Sequence, residues 1–216
     1  MRLCAFDLDH TLVRTPLDLA AMAADMRAHL EAAGHCLPPR DERYRVGELL
    51  RLCKEAAPHL EAALWGLALA REQRAMDEAT LEPGARAALA GARRLGFTIA
   101  LWTNNAGAIT RGALTRLGLA DDFDVVVTRD EMRELKPHPD GWRVISERVD
   151  GATAAGRPAV YMVGDSWVDG LAAAAVGVPF IAYRARPGEF ERWKIEPVAT
   201  LTDLATLPER LAALER

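Results

Sequence analysis

Five short apolar runs separated by helical patterns constrain this fold most. They lie near residues 2–6, 97–102, 124–128, 159–163 and 180–183, each too short for a helix. From residue 80 onward they alternate with amphipathic stretches at 83–95, closed by Gly96, then at 106–117 and 139–149, and after 164 through Ala175. Parallel strands need crossover connections, so this alternation predicts an α/β fold, a parallel sheet with helices on both faces.

The rhythm is broken once, directly after the first run. Residues 16–79 contain no convincing strand. Thr15, Pro16 and Asp18 read as a helix start, with Thr15 as cap and Asp18 as the capping acid. Leu19, Met22, Met26, Leu30 and Ala33 follow at spacings of three and four, and Gly34 is placed to end that helix. Val46, Leu49, Leu50, Cys53 and Ala57 mark a second helix; Leu60, Leu64, Leu67 and Ala68 mark a third. The expected organisation is one α/β domain from residues 1–15 and 80–216, interrupted by a helical domain at 16–79.

With 50% hydrophobic and 27% charged residues, the 216-residue chain has material for an ample core. A net charge of −4 and no basic patch argue against nucleic acid as a partner. No apolar stretch reaches the length of a membrane span, and Asp7 and Asp9 interrupt any signal-like segment. Cys4, Cys36 and Cys53 are odd in number and lack metal-ligand spacing, which predicts reduced thiols and a cytoplasmic location. Oligomeric state is left open.

Four polar clusters fall where predicted strands run out. Asp7 and Asp9 end the first, Thr103-Asn104-Asn105 follows the second, Lys136-Pro137-His138-Pro139-Asp140 comes after the third, and Gly164-Asp165-Ser166-Trp167-Val168-Asp169 follows the fourth. Ligands of open α/β sheets bind outside the carboxyl ends of the strands, so these clusters converge on one edge. Singly, each has a plainer reading. Asp7 and Asp9 could be turn residues, Thr103 and Asn104 a helix cap, Lys136 a solvated charge, and Asp165–Asp169 a capped helix start. Their coincidence in one place favours chemistry. Four carboxylates with one lysine would repel each other without a cation, and oxygen ligands of this kind suit Mg²⁺.

Asp7-x-Asp9-x-Thr11, Thr103-Asn104, Lys136-Pro137 and Gly164-Asp165-x-x-x-Asp169 resemble, in order and spacing, the four motifs of the haloacid dehalogenase (HAD) superfamily in its phosphatase branch. Lys136-Pro137-His138-Pro139-Asp140-Gly141 resembles phosphoglycolate-phosphatase-like hydrolases in particular. The resemblance implies a Rossmann-like sheet, with residues 16–79 as a helical cap that closes over the site and chooses the leaving group. It implies that Asp7 and Asp165 hold Mg²⁺ by side chain and Asp9 by its backbone carbonyl, with Asp169 supporting the metal through water. Asp7 would be the nucleophile that becomes an aspartyl-phosphate. Thr103, the Asn104 N–H and Lys136 would hold the phosphoryl oxygens. Asp9 would be the general acid and base, its pKa raised by the neighbouring Asp7. His10 stands where many relatives have glycine, and Thr11 is expected to brace the loop.

The function expected is therefore Mg²⁺-dependent hydrolysis of a small phosphorylated metabolite. The alternatives are a phosphotransferase or mutase on a sugar phosphate, which would share every motif, and a non-catalytic binding module, which should have lost some of these residues. A dehalogenase would give Asp9 no task, and a phosphonate hydrolase would need a cap lysine where only Lys54 is available.

Overall fold

The computed structural model describes residues 2–149, 159–184 and 186–215. In chain order its strands are β1 (Arg2–Phe6), β2 (Val13–Arg14), β3 (Thr80–Leu81), β4 (Thr98–Trp102), β5 (Val125–Val127), β6 (Ala159–Gly164), β7 (Phe180–Tyr183) and β8 (Ala199–Leu201). The α-helices are α1 (Leu19–Ala32), α2 (Val46–Ala56), α3 (Glu61–Asp77), α4 (Ala85–Arg94), α5 (Gly107–Leu117), α6 (Asp140–Val149), α7 (Trp167–Ala174), α8 (Pro187–Trp193) and α9 (Leu207–Leu214).

Six strands form one parallel sheet in the order β5-β4-β1-β6-β7-β8. The chain builds outward from β1 to β4 and β5, then returns to β6 on the other side of β1 and builds outward again. The order reverses at β1, so the crevice of this fold opens at its carboxyl end. Strands covered on both faces read as continuous apolar runs, as β1 and β4 do. Leu3, Ala5, Ala100, Trp102, Met162 and Phe180 join residues of α6 and α7 in one buried core.

The structure adds an edge strand, β8, beyond the run at 180–183 that reads as the last strand in sequence. Only Leu201 of its three residues is buried, so it carries no apolar pattern and is recruited by pairing with β7. The two-residue strands β2 and β3 pair antiparallel just before and just after the helical insertion.

Contacts divide the chain into residues 1–15 with 79–216, and residues 16–78. The second unit is α1, α2 and α3 around a core of Met22, Met26, Leu30, Leu49, Cys53 and Leu64. Its first helix begins later than the sequence suggests. Asp18, not Thr15, is the N-cap, its carboxylate accepting the N–H groups of Ala20 and Ala21. Leu19, which completes the apolar stripe on paper, is 55% exposed.

Candidate active site

Asp7 follows β1, the central strand, and its N–H donates to the Val163 carbonyl of neighbouring β6. Lys136 reaches it from the loop before α6. The Lys136 ammonium has three hydrogens, and each has an acceptor: Asp7 Oδ1 at 2.6 Å, Asp169 Oδ1 at 2.6 Å and the Trp102 carbonyl at 2.7 Å. Burial disfavours its charge, but Asp169 and Asp7 outweigh that and hold its pKa above the ordinary range.

Asp169 has two roles at once. Oδ1 meets Lys136, while Oδ2 accepts the Ser166 hydroxyl at 2.6 Å and the Ser166 N–H at 3.2 Å, closing a capping box on α7. The helix-start reading of this segment holds, and the same carboxylate also pairs with the buried lysine. Gly164 makes the arrangement possible: a Cβ there would stand 2.6 Å from the Asp169 carboxyl carbon.

Carboxylate oxygens of Asp7, Asp165 and Asp169 lie within 4.8 Å of one another. Asp7 Oδ2 and the Asp165 carboxyl accept no hydrogen bond among the described residues. Burial pushes Asp7 up to about 7 against the pull of Lys136, with Asp169 and Asp9 pushing further. Asp165 is raised well above the carboxylate range by burial and then by Asp169 and Asp7. Among the described residues Lys136 is the cation paired with this group and Arg186 adds a pull on Asp165, yet Asp7 and Asp165 stay raised. The three acids are therefore under-compensated, and a hard dication with oxygen ligands fits that deficit. The donor set suits Mg²⁺.

Asp9 stands apart. Its Oδ2 accepts the Asn105 amide at 2.5 Å and its Oδ1 the Thr15 hydroxyl at 3.2 Å. Its pKa is raised, as expected, but the cause is burial, offset by the Asn105 bond; Asp7 is not the source. Next to it, His10 adopts φ 58°, the left-handed region that glycine occupies without strain. Thr11 is fully buried, yet its hydroxyl has no hydrogen-bond partner among the described residues, so it braces the loop by packing.

Thr103 and Asn104 do not cap α5, whose N-cap is Ala106. Thr103 Oγ1 accepts the Asn105 N–H at 3.2 Å. The Asn104 side chain clamps the Lys136 backbone, accepting its N–H at 2.9 Å and donating to its carbonyl at 3.1 Å. Sequence reasoning gave no task to Asn105, Ser166 or the Trp102 carbonyl. For Asn105 the signal was visible, a third consecutive polar residue at a strand end; a backbone carbonyl leaves none.

The sequence matches the family of haloacid dehalogenase-like hydrolases over residues 1–177. It is 32% identical over 190 residues to a phosphoglycolate phosphatase of Cereibacter sphaeroides, covering 82% of this chain and 83% of that one. A phosphoglycolate phosphatase of Yersinia pseudotuberculosis is 31% identical over 189 residues, 82% of this chain and 78% of that one. Among solved structures, a hydrolase from Pseudomonas syringae shares the fold with a TM-score of 0.72 at 21% identity, over 99% of both chains.

Proposed function

This chain belongs to the haloacid dehalogenase-like hydrolases, and from that premise we propose that it is a Mg²⁺-dependent phosphomonoesterase working through an aspartyl-phosphate on Asp7. One observation carries the reading. Asp7 is a buried carboxylate at the carboxyl end of the central strand, with one oxygen held by Lys136 and the other without a partner among the described residues. That free oxygen is the nucleophile.

Asp7 Oδ2 attacks phosphorus in line while the bond to the leaving oxygen breaks and Asp9 gives that oxygen its proton. Asp9, now a base, takes a proton from water, which attacks the phosphorus of the aspartyl-phosphate. Inorganic phosphate leaves and Asp7 is restored. Thr103, the Asn104 N–H and Lys136 hold the phosphoryl oxygens as charge develops. All three Lys136 donors are already engaged, so the phosphoryl group must displace one of those bonds.

Mg²⁺ would be held by the Asp7 and Asp165 side chains and the Asp9 carbonyl, with Asp169 in support, and would supply Lewis-acid compensation for the phosphate charge. Residues 16–79 serve as the cap that selects the leaving group, a role supported by their insertion between Asp9 and Thr103 in the chain. Phosphoglycolate is the first substrate to test, since relatives sharing 31–32% identity over most of the chain carry that name. Three free cysteines support a cytoplasmic setting, and no helix of the described residues is long and apolar enough to cross a membrane.

The test is phosphate release from phosphoglycolate and a panel of small phosphomonoesters, with Mg²⁺ and with excess chelator. Hydrolysis confined to the Mg²⁺ arm, with Asp7 carrying acid-stable label from a phosphoryl donor only transiently, is the expected result. Full activity in chelator would overturn the metal assignment, and absence of hydrolysis across the panel would overturn the activity.

A further inference from the structure

Two adjacent asparagines follow β4, and they hold different things. Asn104 grips the Lys136 backbone from both sides. Asn105 turns the other way, and its amide donates to Asp9 Oδ2 at 2.5 Å, across 96 residues of chain. The loop does not depend on that amide. The Asn105 N–H already meets Thr103 Oγ1 at 3.2 Å, and its carbonyl accepts the Arg129 N–H at 3.1 Å. The side chain, 5% exposed, is the part left over for Asp9.

We propose that Asn105 is a positioning residue for Asp9, fixing the carboxyl in the orientation from which it passes its proton; this rests on the phosphatase reading above. An aspartate carboxyl has two side-chain torsions, and one hydrogen bond at each oxygen removes the freedom of both. The two partners are unequal. An amide N–H can only donate, so the oxygen it meets is one without a proton. That places the transferable proton on Oδ1, whose partner is the Thr15 hydroxyl, a group that can turn either to donate or to accept. Asn105 thus decides which way the acid faces and which of its oxygens carries the proton.

The experiment is a double-mutant cycle on the Mg²⁺-loaded full chain, read with an alkyl and an aryl phosphate. Asn105→Ala should lower kcat on the alkyl phosphate about 10- to 100-fold, the scale of a misplaced catalytic group, with KM changed by less than about threefold. The loss should be much smaller in the initial burst with the aryl phosphate, whose leaving group departs without a proton. In an Asp9→Asn background the same substitution should cost less than about threefold more, because its target is gone. Asn105→Leu, which fills the space but has no donor, should behave as the alanine variant does and keeps the test alive if that variant does not fold. Equal losses on both substrates, or a loss undiminished in the Asp9→Asn background, would overturn the proposal. A wild type that hydrolyses no phosphomonoester would instead overturn the phosphatase reading.

Discussion

Two clusters of buried acid occur in the same α/β unit, and their electrostatics run in opposite directions. Glu82, just after β3, is 2% exposed and has more partners than it needs. Arg14 donates to both its oxygens, at 2.7 and 3.1 Å, the Tyr183 hydroxyl donates at 2.6 Å, and Arg184 stands at 3.0 Å. Burial lifts its pKa, but these partners more than offset it and hold the carboxyl below the ordinary range. Tyr183 is pushed up, by burial and by the acid beside it. At the strand ends, Lys136 pairs with Asp7 and Asp169, and Asp165 has only the more distant pull of Arg186 and Lys136, so burial and mutual repulsion hold Asp7 and Asp165 above the ordinary carboxylate range. A satisfied buried charge is a structural fastening; an under-compensated group of charges is a site waiting for ligands. Here Glu82 fastens the β2–β3 ribbon to the end of β7, whereas the Asp7 cluster holds unspent electrostatic demand.

A change in the charge balance at Asp7 should separate the two clusters most strongly. Asp7→Asn should abolish turnover, by at least about 10⁴-fold, because the nucleophile is gone. It should nevertheless stabilise the metal-free protein by about 1–2 kcal/mol, since an excess buried charge is removed. Lys136→Met should also abolish turnover but destabilise by about 3–5 kcal/mol, leaving three acids without their counter-ion. Denaturant midpoints of both variants without metal decide it. Equal destabilisation by the two would mean that the site is not under-compensated.

Metal removal gives the next largest effect, and its sign depends on pH. Asp7 has a folded pKa near 7 against an ordinary 3.8, so without a cation the folded state prefers the protonated acid. The stability this contributes is complete below about pH 4 and is lost as pH rises towards 7. Midpoints of metal-free wild type relative to Asp7→Asn should therefore decline across that range. Mg²⁺ should raise the wild-type midpoint far more at pH 7 than at pH 5. A rise of the same size at both would contradict the assignment of Asp7 as a ligand.

Glu82→Gln tests the other side. Loss of charge-assisted hydrogen bonds should cost about 1–3 kcal/mol, moderated because the arginines are half exposed and can return to water. The folded pKa of Glu82 lies below 4.5, so its contribution is present above that pH and fades as pH falls through the folded value. The gap between wild type and variant should narrow in acid. A gap that stays constant down to the onset of acid unfolding would remove the charge from the explanation.

Thr11→Val is the smallest change. It replaces a buried hydroxyl that has no partner among the described residues with a methyl of the same shape, so stability should hold or rise by up to about 1 kcal/mol. A loss above about 1 kcal/mol in the denaturant midpoint would show that the hydroxyl does brace the loop after all.

Much of this was legible in the chain. β1, β4 and β6 announce themselves because strands buried on both faces must be apolar along their whole length, and polar residues at their ends then stand out. Asp7, Asp165 and Asp169 stand out that way, at or just past the ends of β1 and β6, whereas Lys136 lies in a loop nine residues past β5 and stands out in the sequence only through its motif. Leu19 and Thr15 were misjudged for one reason: helical spacing shows which residues share a face, not where the face begins. Asp18 caps the helix, and the Thr15 hydroxyl donates to Asp9.

Period and local chemistry act over a few residues, so the chain alone shows the apolar strands, the helical interruption after β1 and the acids at the ends of β1 and β6. Which side chains meet is a matter of the folded chain. Lys136 meets Asp7 across 129 residues, Tyr183 meets Glu82 across 101, and Asn105 meets Asp9 across 96. Each of those bonds depends on strand order and register, which set distances to within a hydrogen bond's reach and which no stretch of the chain encodes alone.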